Sequence, residues 1–225
     1  MLKSIIPVVC SESIKEGPME HEHIHWLGHA SFRIEDAGKQ IYIDPWKVAD
    51  SMPRADVILI THAHFDHYSP QDIEKLRQEG TVVLAPYDVA KSIKGARAVE
   101  PSQVYDVNGT RVFTIPAYNL GKKFHPKENK WVGYVVALSS GQRIYHAGDT
   151  DAIPEMRKVE CDIAFLPSGG TYTMTASEAA AAANTFGPKA VIPMHWGDIV
   201  GSKEDAEEFG RRFKGETIVK VPERR

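Results

Sequence analysis

An apolar run, Val57-Ile58-Leu59-Ile60, leads straight into Thr61-His62-Ala63-His64-Phe65-Asp66-His67-Tyr68, which packs three histidines and a carboxylate into six residues. The run reads as a buried strand, so the fold must bring that strand's carboxyl end to a place where several imidazoles converge. In extended chain, side chains two residues apart point the same way, and His62 and His64 can close on one ion like a pincer. Asp66 and His67 lie past the strand end, where a turn can swing them onto a second ion beside the first. Imidazole nitrogens and carboxylate oxygens suit zinc and also manganese, nickel or iron, whereas a structural zinc site uses thiolates. The two cysteines, Cys10 and Cys161, are far from the motif. Solvated loop histidines are the competing reading.

Composition narrows the class. A chain of 225 residues, 42% hydrophobic and 25% charged, fits one large domain with a sizeable core. No Pro-, Gly- or Ser-rich linker divides it, so residues 1–20 read as an N-terminal extension and 21–225 as the folded unit. The piece from Leu2 to Cys10 is broken by Lys3, Ser4 and Pro7, too short and polar for a membrane span and a poor signal peptide. The expectation is a cytoplasmic protein in a reducing compartment, since two cysteines build no disulfide scaffold. A net charge of -3 gives no electrostatic reason to expect nucleic acid as a partner. A homo-oligomer stays open.

The coarse pattern is strand-rich. Ser31 to Glu35 and Gln40 to Asp44 alternate around Asp36-Ala37-Gly38-Lys39 and read as a hairpin. Ser69-Pro70-Gln71-Asp72 is a cap followed by proline, so Gln71 to Gln78 should be helical. Val104 to Val107 and Thr110 to Ile115 flank the hairpin turn Asn108-Gly109. Trp131 to Leu138 and Arg143 to His146 form another pair, and Ile163 to Leu166 is a strand. Thr175-Ala176-Ser177-Glu178 is a capping box before an alanine-rich helix reaching about Phe186, where Gly187-Pro188 stops it. Ala190 to Pro193 is a buried strand, Ser202-Lys203-Glu204-Asp205 opens a last helix, and Thr217 to Val221 is a closing strand. These elements fit an α/β (α+β) chain with a sheet-on-sheet core flanked by helices.

The His62–His67 string resembles the signature of the metallo-β-lactamase superfamily, and later segments resemble its other motifs in order. Tyr145-His146-Ala147-Gly148-Asp149-Thr150 is similar to the strand end carrying a metal-bridging aspartate, and Ile192-Pro193-Met194-His195-Trp196-Gly197 to the last histidine ligand. Trp26-Leu27-Gly28-His29-Ala30-Ser31-Phe32, Pro116-Ala117-Tyr118-Asn119 and Phe124-His125-Pro126 resemble the branch containing ascorbate-6-phosphate lactonase and the N-acyl-phosphatidylethanolamine phospholipase D. The resemblance implies a four-layer αβ/βα sandwich and a metal-dependent hydrolase of a small, phosphorylated ester, lactone or phosphodiester. It implies His62 and His64 on one ion, Asp66, His67 and His195 on another, and Asp149 between them, with Asp66, Asp149 and His195 closest to the chemistry. A superfamily nuclease and a non-catalytic metal-binding module are the alternative readings.

One departure stands out. Asn119 occupies the place of a superfamily histidine ligand, and a neutral amide binds metal weakly. His125, in an irregular loop, and His29, at the end of a first strand, are candidates to replace it. Each has a plainer reading, His125 as a solvated loop residue and His29 as a histidine that orients a ligand. Asp149 could be a simple turn residue, and His146 is expected to pack beside the site. His21, His23 and His25 alternate but read as a solvated N-terminal segment. Ser168-Gly169-Gly170-Thr171-Tyr172 could offer backbone amides and the Tyr172 hydroxyl to a substrate phosphate, with Asn119, Lys123 and Gly170 beside it, or it could be a glycine turn. Lys122, Lys123 and Lys127 surround His125 and could hold an anionic group or be merely solvated. The expected partner is a small anionic substrate.

Overall fold

The computed structural model describes residues 20–223. The expected extension, residues 1–20, lies almost wholly outside the described residues. The first half forms a six-stranded sheet from β1 (Ile24–Gly28), β2 (Ser31–Asp36), β3 (Lys39–Ile43), β4 (Val57–Leu59), β5 (Val82–Pro86) and β6 (Arg97–Val99), in that spatial order. The second half forms a seven-stranded sheet from β7 (Val104–Val107), β8 (Thr110–Pro116), β9 (Val132–Ala137), β10 (Arg143–His146), β11 (Ile163–Pro167), β12 (Ala190–Met194) and β13 (Glu216–Thr217). Both sheets follow one plan. Antiparallel hairpins come first (β1 to β3, β7 to β10), and parallel strands joined by crossovers follow.

Side-chain alternation explains the layering. In β3, β4 and β5, Ile41, Ile43, Val57, Leu59 and Leu84 face the second sheet, whereas Tyr42, Ile58, Val83 and Ala85 join Ile73, Leu76 and Val89 of helices α1 (Pro70–Leu76) and α2 (Tyr87–Ala90). Parallel strands covered on both faces need apolar residues at every position, and Val57-Ile58-Leu59 supplies them. Helices α3 (Ala176–Phe186) and α4 (Lys203–Arg212) cover the second sheet, with Ala179, Ala180, Ala183, Ala206 and Phe209 in its core. Alanine along one helical face lets α3 approach closely. The result is the four-layer arrangement expected from the sequence. Between the sheets, Phe32 stacks on Phe165 with ring centroids 4.0 Å apart.

Three local expectations change. The first helix is Pro70–Leu76, because Arg77 is already extended (ψ 144°) and its amide closes the last turn on Ile73. The closing strand is only Glu216–Thr217, and Val219 and Val221 beyond it are exposed. The tail instead crosses to the other sheet, where the Glu223 amide donates to the Trp26 carbonyl at 2.7 Å. His25 is no solvated segment: it lies in β1 and pairs with Glu35 (3.3 Å) and Glu223 (2.9 Å), while His23 reaches Gln142 at 2.8 Å. Among the described residues, no helix is long and apolar enough to cross a membrane.

Because Phe165 is fully buried between the sheets, Phe165→Ala should cost about 3–5 kcal/mol. The urea midpoint should fall at unchanged m-value.

Candidate metal centre

The ends of six strands or their following turns meet at one edge of the sandwich. Past β4 the chain runs extended through Thr61 and then turns, with the His67 and Tyr68 amides both donating to the His64 carbonyl (3.0 and 2.8 Å). That turn delivers His62, His64, Asp66 and His67 to one spot. Helix α1 follows at once, its N-cap Ser69 accepting from the Asp72 amide at 3.3 Å. Beyond β10, Gly148 has φ 63°, and a Cβ there would lie 3.1 Å from both Thr61 Cβ and the Val132 carbonyl. Glycine therefore lets the loop press onto Thr61 and carry Asp149 between the histidines. His29 (φ 53°) and His195 (φ 59°) turn through left-handed backbone directly after β1 and β12, and the His195 amide donates to the His29 carbonyl at 2.9 Å. Backbone held in this region by non-glycine residues marks sites that the surrounding fold over-determines.

Two groups result. His62, His64, His125 and Asp149 each place a donor atom within 4.8 Å of the others, and so do His29, Asp66, His67 and His195. Asp149 touches both groups. Its Oδ2 lies 3.1 Å from His125 Nε2 and 3.0 Å from His195 Nε2, and its Oδ1 lies 3.3 Å from His67 Nε2.

Hydrogen bonds on the far sides of the rings fix which nitrogen faces inward. Asp44 is fully buried and accepts from the Thr61 amide (2.7 Å), the Thr61 hydroxyl (2.5 Å) and His67 Nδ1 (2.7 Å). The Thr61 proton is thus spent on Asp44, so His62 Nδ1–H donates to Thr61 Oγ1 at 2.9 Å. His125 Nδ1–H donates to Asn119 Oδ1 at 2.9 Å. In each ring Nε2 is left pointing into the cluster, and His67 Nε2, His125 Nε2 and Asp149 Oδ1 are buried without a hydrogen-bond partner. Buried lone pairs aimed at one another are costly alone and are what a cation satisfies. The donor set fits a metal.

Electrostatics point the same way. Burial holds the His62 imidazole well below its ordinary pKa, lowers His64, and brings His29 down to about 4. These rings are neutral. Burial works against His67 as well, but the Asp149 and Asp44 carboxylates override it and raise His67 well above the usual range. Burial pushes the Asp66 carboxyl up, yet the His29 Nε2–H bond at 2.9 Å and the His67 charge bring it down to about 2. Asp149 behaves alike: burial raises it, and His195 and His67 hold it well below the carboxylate range.

A profile of the β-lactamase superfamily domain matches residues 23–195. The chain belongs to this superfamily. A UPF0173 metal-dependent hydrolase of Pyrobaculum arsenaticum is 30% identical over 220 residues, covering 88% of this chain and 94% of that protein. The corresponding hydrolase of Aeropyrum pernix is 36% identical over 215 residues, covering 84% and 88%. A crystal structure from Parabacteroides distasonis superposes with a TM-score of 0.79 at 32% identity, covering 88% of this chain and 91% of that one. Within the superfamily the chain is therefore one of the metal-dependent hydrolases.

In this hydrolase, several residues read as substrate contacts do other work. Asn119 faces away from the cluster: its oxygen takes both the His125 amide (3.0 Å) and ring Nδ1, and its Nδ2 donates to the Tyr172 carbonyl at 3.0 Å. It positions His125, which is fully buried and no solvated loop residue. Gly170 cannot offer its amide, because that N–H donates to the Met174 carbonyl at 3.0 Å. Lys122 is tied to Asp151 (2.6 Å) and the Thr173 carbonyl (2.7 Å), and Lys127 to Glu155 (3.1 Å). Lys123 is exposed and does not line the cavity above the cluster, whereas Tyr172 does. His146 packs beside the site, bonding the Ala30 carbonyl at 2.8 Å. Asp44, Thr61 and Trp131 were not legible as site residues. Trp131 packs its ring 5.0 Å from both His62 and His64, and only Asp44-Pro45 at a strand end hinted at the first.

Asp44→Asn should lower metal affinity about 10–100-fold by freeing the His67 and Thr61 orientation. Competition with a chromophoric chelator measures it.

Proposed function

We propose that this hydrolase cleaves an ester, lactone or phosphodiester bond in a small molecule, using two adjacent divalent ions. The observation that supports this reading is the Asp149 carboxylate set between two groups of inward-facing imidazoles. His62, His64 and His125 would hold one ion, Asp66, His67 and His195 the other, and Asp149 would serve both. Five imidazoles and two carboxylates suit zinc best, and manganese, nickel or iron also accept such donors. When bound, the ions would supply a water acidic enough to attack at neutral pH and Lewis acidity at the scissile oxygen.

The chain's own residues prepare that chemistry. Asp44, Thr61 and Asn119 hold three imidazoles in the Nδ1–H tautomer, so no reorientation is needed on loading. His29 stays neutral and donates to Asp66, keeping that carboxylate ionised and aimed. Trp131 packs its buried ring against His62 and His64 and limits their movement. A cavity of about 240 Å³ lies above the cluster and suits a small molecule rather than a nucleic-acid strand.

The test is metal content measured together with activity on a chromogenic phosphodiester, a lactone and a thioester. Chelation should abolish turnover and zinc should restore it. Asp149→Ala should be inactive even when remetallated; full activity in that variant would overturn the two-ion centre.

A further inference from the structure

The mouth of the centre is as apolar as its floor is ionic. Asp66, Asp149, His125 and His195 line the cavity and are buried, whereas Phe65, Phe124 and Ile199 line it at 69%, 43% and 40% exposure and so form its rim with Tyr172. Single exposed apolar residues are ordinary on a protein surface. Here, of eight exposed large apolar side chains among the described residues, three converge on one cavity, from three separate loops. Such convergence beside buried polar groups marks a recognition surface.

The rim is also built, not loose. Phe124 meets Tyr172 edge to face at 4.8 Å, and Phe65 meets Trp46 at 6.1 Å. The Gly197 amide closes the Ile199 loop on the Gly201 carbonyl at 3.2 Å, and Lys47 ties that loop down through Asp198 at 2.9 Å. Among the described residues, no lysine or arginine lines the cavity. Of the nearby lysines, Lys122, Lys127 and Lys47 are paired with Asp151, Glu155 and Asp198, and Lys123 is exposed outside the cavity lining. A second phosphate on the substrate would therefore meet ring faces, which carry negative quadrupole density, and would lose its hydration without a partner.

Resting on the hydrolytic reading above, we propose that the cleaved bond is flanked by an apolar group, aryl or branched alkyl, seated on Phe124, Tyr172 and Ile199. The substrate is then an aryl- or alkyl-substituted ester or phosphodiester with no charged group beyond the scissile one.

The experiment compares zinc-loaded protein on methyl, phenyl and 2-phosphoethyl p-nitrophenyl phosphate, which share a leaving group and differ only in the flank. The phenyl compound should exceed the methyl compound in kcat/KM by about tenfold, the range one well-seated apolar group commands, and the phosphoethyl compound should not exceed methyl. Phe124→Ala and Ile199→Ala, on separate loops, should each bring the phenyl-to-methyl ratio towards about two, and Phe124→Leu should restore part of it. Zinc stoichiometry and a melting curve certify each variant. Calorimetric binding of phenylphosphonate against methylphosphonate to the zinc-loaded protein should show the same preference without turnover. Equal ratios in wild type and variants, or preference for the phosphoethyl compound, would overturn the apolar seat. Selective phenylphosphonate binding with no hydrolysis of any compound would uphold the seat and overturn the hydrolytic reading instead.

Discussion

A single carboxylate at the end of β3 organises the site. Asp44 is excluded from solvent, and an isolated buried charge would cost far more than the fold could carry. It is tolerable because three donors saturate it: the Thr61 amide, the Thr61 hydroxyl and His67 Nδ1. Each of those bonds also does something for the neighbouring chain. Fixing the Thr61 hydroxyl leaves its oxygen as acceptor for His62, so one carboxylate sets two imidazoles, one in each group. Thr61 in turn accepts from the Val132 amide at 3.2 Å, which ties the first sheet to the second at the point where the donors gather.

The two sheets thus also meet through polar groups at the edge where the donors gather. The His195 amide bonds the His29 carbonyl, His146 bonds the Ala30 carbonyl, and Gly148 presses on Thr61. Every one of these contacts joins a turn of the first sheet to a strand end or turn of the second. The apolar core behind them, with Phe32 stacked on Phe165, supplies the association, and the polar contacts at the edge set the register. A centre assembled from both halves cannot form until both have folded. Preorganisation of the donors is therefore a product of the whole sandwich.

How much of this was legible from sequence follows from where each signal lives. Six residues, His62, His64, Asp66, His67, Asp149 and His195, are nominated from strand-end position, residue type and motif order, and the structure brings them together. His125 and Asn119 were seen as a problem whose solution needed three dimensions: which side chain turns inward depends on a loop that no periodicity describes. Asp44 was hidden because a single aspartate before proline looks like any strand exit. Strand β5 is a short apolar run without alternation, which periodicity does not separate from a helix, and in β6 two of three residues are exposed and give no apolar pattern. The lysines around His125 read either as an anion site or as solvated charges, and only the fold shows that Lys122 and Lys127 are paired with Asp151 and Glu155, some 30 residues on.

The place of Asn119 beside His125 has a structural consequence. An inward-facing imidazole comes from His125, on a loop whose preceding residue, Phe124, is part of the apolar rim. The Asn119 amide holds His125 through its oxygen and the Tyr172 carbonyl through its nitrogen. One side chain therefore spans the donor and both halves of the Phe124–Tyr172 contact. The same coupling recurs at Phe65, which sits between His64 and Asp66. In this architecture the residues that would hold ions and the residues that would read the substrate's flank are chain neighbours, so a group pressing on the rim also presses on the loops that aim the donors. Substrate fit and donor geometry are then set by the same few loops, and a poorly fitting flank would be penalised in turnover as well as in binding.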